Sequence, residues 1–327
     1  MRLWLWLLAC WWLVGCSAGR PQVVVYCSLD QIDSEPLLRR FEQQTGIQVL
    51  AKFDLEATKT TGLVQRIRRE SNSPRCDVLW NNEILQTVKL QREGMLQEHI
   101  SEATRAVPAA YRDPDGKWCG LAARVRVLAC SKSLSPVPEA SLERLTDPAL
   151  RGRTGLARPL FGTTLTHFLA LRQIWGETRY QSFLESLEEN QVAILEGNSV
   201  VRDRVAAGQL LLGLCDSDDA HRAELDGLPV VTLPLKADGL LIPNTLALLR
   251  GAPHPEAGRR LIDFLLAADS QQYLADGPSA QIPLLSQARV PQPWSDWEQW
   301  KLPQIDWQAA ARDFDTEYER LRRRFLQ

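Results

Sequence analysis

Past its first residues the sequence has no long hydrophobic run. Leu3 to Val14 (LWLWLLACWWLV) is the one stretch of 12 apolar residues, and as a helix it rises about 18 Å, too little for a hydrocarbon core of roughly 30 Å. A membrane-spanning segment is therefore not expected. Basic clusters are scarce too: 38 Lys and Arg face 40 Asp and Glu for a net charge of −2. The only compact basic group is Arg322-Arg323-Arg324, so the electrostatic footprint of a nucleic-acid binder is missing. The four histidines, His99, His167, His221 and His254, stand apart. With no H-E-x-x-H, G-x-S-x-G or phosphate-cradling glycine loop, the common metalloprotease, hydrolase and nucleotide-binding patterns are excluded. His167, inside an expected helix between Thr166 and Phe168, reads as core.

Cysteine gives no framework either. Of seven, Cys10 falls in the apolar leader and Cys16 just after it, which leaves Cys27, Cys76, Cys119, Cys130 and Cys215, five that cannot all pair. No C-x-x-C or Cys/His cluster has metal-ligand spacing, so a zinc site and a disulfide scaffold are both unsupported. Most read as small buried apolar residues. Cys119 and Cys130 could bond only if the chain folded back between them, and Leu121 to Ala129 reads as extended.

What is present begins with the leader. A charged start at Arg2, a short apolar core and small residues at its exit mark a cleavable export signal over residues 1–15. The block Leu13-Val14-Gly15-Cys16 looks like a bacterial lipobox, with Cys16 acylated as the first mature residue. The protein is thus expected outside the cytoplasm, periplasmic or at the cell surface, touching membrane only through a lipid anchor. The remaining ~310 residues suit two lobes better than one core.

The periodicity alternates. Val23 to Tyr26 is a β-branched strand signal, Glu35 to Gln44 a helix closed by Thr45-Gly46, Ile47 to Phe53 a strand, Thr60 to Glu70 a helix, Cys76 to Trp80 a strand and Glu83 to Arg92 a helix. Such β-α order predicts an α/β fold with doubly wound sheets and ligands at the carboxyl ends of the strands. A loop at Asp113-Pro114-Asp115-Gly116 precedes a long extended run, Gly120 to Ser131, suited to crossing between lobes. A second series follows: Gly155 to Ala157, a helix after Gly162-Thr163-Thr164, helices over Glu177 to Glu189 and Ser199 to Ala207, and a strand at Leu210 to Leu214. Val230 to Pro234 and Asn244 to Leu249 are strand-like, Glu256 to Leu266 is a helix, and the tail from Pro291 reads as helices packed outside.

Polar residues gather where those strands end: Tyr26 with Asp30, Trp80-Asn81-Asn82-Glu83, and Asp216-Ser217-Asp218-Asp219. Each alone has the make-up of a helix cap or turn, but three at equivalent places point to a site. Gly162-Thr163-Thr164 and Gly197-Asn198-Ser199 open helices whose free N–H groups suit an anion.

On these residues the chain resembles the bacterial extracellular solute-binding proteins of the ferric-iron and related type. The resemblance spans essentially the whole mature chain and is carried by Val23 to Ser28 (VVVYCS), Phe41 to Ile47 (FEQQTGI), Asp77 to Trp80 (DVLW), Gly120, Phe161-Gly162-Thr163-Thr164, Gly213, Pro243-Asn244-Thr245 and Ala252 to Ala257 (APHPEA). It implies a two-lobed periplasmic-binding-protein fold of type II, each lobe a doubly wound mixed sheet with flanking helices. Lobe 1 is expected over 16–122 plus 233–285, lobe 2 over 123–232, and a helical tail over 286–327. It also implies a monomer that clamps a small ligand in the cleft and passes it to the permease and ATPase of an ABC importer, with no catalysis.

Iron binders of this resemblance typically offer a histidine, a glutamate and adjacent tyrosines. Here the histidine position falls at or beside Asp30, the glutamate is Glu83, and the tyrosine pair is replaced by Asp218 and Asp219. Carboxylates are hard oxygen donors, so the expected ligand is ferric iron or a hard divalent cation, with or without a synergistic anion. The anion-holding places match Gly162, Thr163, Thr164 and Asn198, with Asp216 beside them. Arg124 and Arg126 on the crossing strand offer donor forks; only one is expected to reach the cleft, on the view that they point to opposite faces. Glu56 and Lys59 are rim candidates. Two other ligands fit the same fold: an organic cation such as a polyamine, stacked on Trp80 and Tyr26, or an anion such as a phosphonate read by Arg124 and the helix starts. A reading of another class makes the Asp216-to-Asp219 cluster the acid/base pair of an exported hydrolase.

Overall fold

A computed structural model of the chain describes residues 20–54 and 61–326. The leader, Cys16, Glu56 and Lys59 lie outside them. Three parallel strands open the chain, β1 (Gln22–Cys27), β2 (Gln48–Phe53) and β3 (Val78–Asn81), joined by helices α1 (Gln31–Thr45) and α2 (Thr61–Arg69). Valines at 23 and 25 are fully buried, as a strand covered by helices requires. Gly46 stops α1, its N–H reaching the Glu42 carbonyl at 2.9 Å, and Phe41 packs edge-on against Phe264 at 5.4 Å.

After β3 come α3 (Leu85–Arg92), β4 (Leu96–Gln97), α4 (Glu102–Ala106) and then β5 (Cys119–Ser131), a strand of 13 residues buried along its whole length. The second half holds β6 (Thr154–Ala157), α5 (Gly162–Glu189), β7 (Ala193–Leu195), α6 (Asn198–Ala206), β8 (Leu212–Asp216), α7 (Ser217–Leu225) and β9 (Val230–Pro234). The chain then returns through β10 (Leu241–Leu249), α8 (Pro255–Leu266), α9 (Ala268–Asp276) and β11 (Ile282–Pro283), and ends in α10 (Trp307–Phe325).

β5 belongs to both halves. Its residues from Cys119 to Val125 pair antiparallel with β10, and from Arg126 onward its partners are β8 and β9. The exchange of partners falls between Val125 and Arg126. Path order through the sheets is β2-β1-β3-β10-β5-β8-β6-β7. Since β1 and β3 run toward β5's crossing level on one side, and β6 and β8 run toward it on the other, the carboxyl ends of the parallel strands in both halves face one another.

The helix and cysteine expectations hold, and that for the tail changes. The helices expected after Gly162 and over Glu177 to Glu189 are both present as the two arms of α5, parted at Gly176, whose φ of 73° is a backbone conformation that glycine alone adopts freely. Cys119 and Cys130 lie on the same extended strand, and all five described cysteines are free and buried. The tail is not merely laid outside. α10 buries Glu317 and Leu321 completely and spans both halves: Lys89 of α3 pairs with Asp315 and caps the Phe314 ring at 4.1 Å, while Tyr180 of α5 donates to Glu317 at 2.8 Å.

Candidate functional site

The site is built on β5. Arg124 and Arg126 stand two residues apart on one strand and therefore share a face, which corrects the expectation of opposite faces; only Arg124 lines the cavity, and Arg126 is fully buried behind it. Each is almost wholly buried. Arg126 donates through Nη1 to Asp216 Oδ1 and to Thr163 Oγ1 at 3.0 Å, and through Nη2 to Thr164 Oγ1 at 3.3 Å. The second Asp216 oxygen accepts from Thr163 Oγ1 at 2.6 Å and Asn198 Nδ2 at 2.9 Å. Burial alone would push the Asp216 carboxyl up, but Arg126, Arg124 and the Thr163 hydroxyl outweigh it and hold the group below the ordinary carboxylate value.

Arg124 sits one step nearer the other half. Its Nη1 is 3.2 Å from Asp218 Oδ2 and 3.7 Å from Asp216 Oδ2, and Nη2 donates to Asn244 Oδ1 at 3.4 Å. Burial opposes its charge; Asp218, Asp216, Asp30 and Asp219 together reverse that and hold the proton more firmly than in free arginine. Asp219 in turn lies 3.7 Å from Arg202. Carboxylate oxygens of Asp216, Asp218 and Asp219 all fall within 4.8 Å of one another.

Three helices begin at this point: α5 at Gly162, α6 at Asn198 and α7 at Ser217. Their first N–H groups have no partner within the helix and carry the positive end of its dipole. Gly162 takes φ of 60°, and a Cβ there would meet nothing within 4 Å, so backbone conformation rather than space demands glycine. Asn82, Arg124, Gly162, Thr163, Thr164, Asn198, Asp216 and Asp219 line one cavity of about 30 Å³. That is room for an ion with a water, and not for an organic solute in this conformation.

Four of the expected site residues are placed elsewhere. Tyr26 turns away from the cleft: its hydroxyl donates to Glu70 at 2.7 Å, Lys52 and Arg66 lie against its ring, and burial followed by Glu70 raises its pKa. Trp80 is fully buried in the core with Val23 and Val78. The aromatic wall of the organic-cation reading is therefore absent, because strands covered on both faces bury aromatics on either side. Glu83 does not join the acid cluster. Its oxygens take the N–H groups of Leu85 (2.6 Å) and Gln86 (3.0 Å) at the start of α3, the Asn81 amide (3.3 Å), and the Thr166 hydroxyl from the other half (2.7 Å). Burial raises its pKa in spite of these donors. Asp30 lies outside the three-carboxylate group, on the facing wall, where its charge acts on Arg124.

Sequence reasoning missed two residues. Asp33, buried on α1, sits 3.5 Å from Arg222 of α7 across the cleft; burial raises its pKa more than Arg222 lowers it. It stands three residues after Asp30, one helical turn on, which was the available signal. Arg202 is four residues after Asn198 on α6, the same face by the same spacing.

Comparison with known proteins shows the family and the fold. The family profile described as bacterial extracellular solute-binding protein matches residues 25–277. The chain is 27% identical over 232 residues to Iron uptake protein A2 of Synechocystis sp., covering 66% of this chain and 67% of that protein. Its fold matches iron-bound HitA from Pseudomonas aeruginosa with a TM-score of 0.82 at 21% identity, over 92% of this chain and 99% of the other. It matches AfuA from Actinobacillus pleuropneumoniae, solved with fructose-6-phosphate, with a TM-score of 0.84 at 18% identity, over 94% and 99%.

Proposed function

Because this chain belongs to the bacterial extracellular solute-binding proteins, we propose that it is the receptor of an ABC importer that takes up a hard metal cation together with a small anion. The observation that carries this is the meeting of two opposite chemistries in and beside one small cavity. Asp218 and Asp219 offer hard oxygen donors, while Arg124 and the starts of α5 and α6 offer a cradle for an anion. The names of the relatives, an iron uptake protein and an iron-bound binding protein, point the same way. Asp216 is a support rather than a ligand in this reading, since both its oxygens are already engaged. A cation arriving at Asp218 takes over the charge now met by Arg124, which frees the guanidinium fork for the anion.

Binding is coupled to closure. The two halves, as residues 16–122 plus 233–285 and residues 123–232, hinge on β5 and the segment after β9, and contacts from both walls are gained together only when the cleft shuts. The permease and ATPase then accept the closed monomer, which is exported and held to a membrane by lipid on Cys16.

A second reading has its own observation. Arg124 and Arg126 nearly balance the three aspartates, and three helix starts add positive potential, so an organic phosphate or phosphonate suits the cavity once it opens. Native mass spectrometry and elemental analysis of the chain purified from a bacterial periplasm separate the two. Stoichiometric metal, lost in Asp218→Ala and in Asp219→Ala, is the expected result. No metal, with melting temperature raised by phosphate esters or phosphonates and unmoved by ferric or divalent ions, replaces the metal reading with the second.

A further inference from the structure

The end of the first half opposite the cleft carries a pocket lined by two arginines, with two more at the ends of nearby helices. α2 and α3 both run back from the cleft to this pole and end in basic turns, at Arg69 and Arg92. Arg75, just before β3, and Arg250, just after β10, line a pocket of about 330 Å³ with Ile67, Met95 and the carboxylates of Glu70 and Glu93. All four arginines are exposed, and among the described residues none has a carboxylate partner. The acids nearby are already engaged: Glu70 by Arg66 and Tyr26, Glu93 by both donors of Arg68 at 2.7 and 2.8 Å. Four cations are left in excess on one face.

The chain enters the fold at the same pole. Val25 is level with Val78 in the parallel register, which puts Gln22, the first residue of β1, level with Arg75. The backbone contacts agree, with Asp77 N–H on the Val24 carbonyl at 2.9 Å and Gln22 within 3.1 Å of His254 beside β10's exit. With lipid on Cys16, as proposed above, residues 17–21 separate anchor from β1 and reach at most about 20 Å. We propose that this pole rests on an anionic lipid surface, phosphate headgroups meeting Arg75, Arg250, Arg69 and Arg92 and an acyl or glycerol segment entering the pocket. The cleft, between the facing strand ends of the two halves, then lies beyond the first half, with the second half farthest from the bilayer.

The test uses the chain from Arg20 onward, which contains both sheets and no lipid, so its result is independent of whether Cys16 is acylated. That point is read separately by palmitate labelling of the exported chain. Co-sedimentation with vesicles containing phosphatidylglycerol is expected to show binding that weakens with salt, with little binding to phosphatidylcholine alone. Each arginine at such a surface contributes about fivefold, so Arg75→Ala with Arg250→Ala is expected to weaken binding about 25-fold at unchanged melting temperature. Equal binding to neutral vesicles, or an undiminished double variant, overturns the proposal. Absence of binding to either vesicle also overturns it and leaves the pole to a protein partner.

Discussion

Replacing Arg126 by Met tests whether the buried network holds the site together. The guanidinium is fully buried and binds Asp216, Thr163 and Thr164. Without it, Asp216 keeps Arg124 at 3.7 Å and two neutral donors. Breaking a buried pair from one side leaves an uncompensated charge and costs about 3–5 kcal/mol. At about 2–4 °C per kcal/mol the melting temperature should fall by on the order of 10 °C. Asp216→Leu should cost as much, because it strands Arg126. The double variant should cost well under the sum, with a coupling of roughly 3 kcal/mol between positions in direct contact. Urea unfolding followed by circular dichroism at pH 7 measures all three. Acid adds a second readout: the folded Asp216 value lies below its unfolded value of about 3.9, so its stabilisation is present above that pH and is lost as pH falls through the folded value. Asp216→Leu should lack that acid loss. A cost below about 1 kcal/mol for Arg126→Met, or strict additivity in the double variant, would refute the network as the support of the site.

Other expectations are simpler to check. His167 is buried, and desolvation with Arg126 nearby lowers its pKa to about 3. Its unfolded value is about 6.5, so stability should decline as pH drops from there toward 3; His167→Gln should flatten this slope in acid titrations, and an unchanged slope would contradict the assignment. A methyl group on Gly213 would stand 2.3 Å from Val201 Cγ1, so Gly213→Ala should destabilise by about 1–3 kcal/mol, and Val201→Ala in the same chain should recover part of it. Thr166→Val deletes the hydroxyl that joins the halves at Glu83; the unfolding free energy should drop by about 1–2 kcal/mol, whereas a neutral result would mean that the contact is dispensable. Glu83→Ala should retain metal stoichiometry in elemental analysis where Asp218→Ala loses it, since Glu83 lies apart from the acid cluster.

The amino-acid order by itself determined the β-α alternation, the two-half organisation and the level along each strand at which the site sits. These follow from local periodicity, turn residues and the rule that ligands meet parallel sheets at their carboxyl ends, and they placed Asn82, Gly162, Thr163, Thr164, Asn198, Asp216 and Asp219 on one cavity. Position along a strand does not settle which way a side chain points when both faces are covered. Tyr26 and Trp80 were at the right level on the wrong side, and Arg124 and Arg126 were assigned opposite faces although a spacing of two puts them together. Partner choice was likewise out of reach: Glu83 has the residue type of a ligand, but the free N–H groups of α3 and a hydroxyl from the far half claim it first. Only the tertiary structure decided these points, because an ionisable side chain's role depends on which groups 80 to 120 residues away come within about 3 Å and what their charges leave unbalanced.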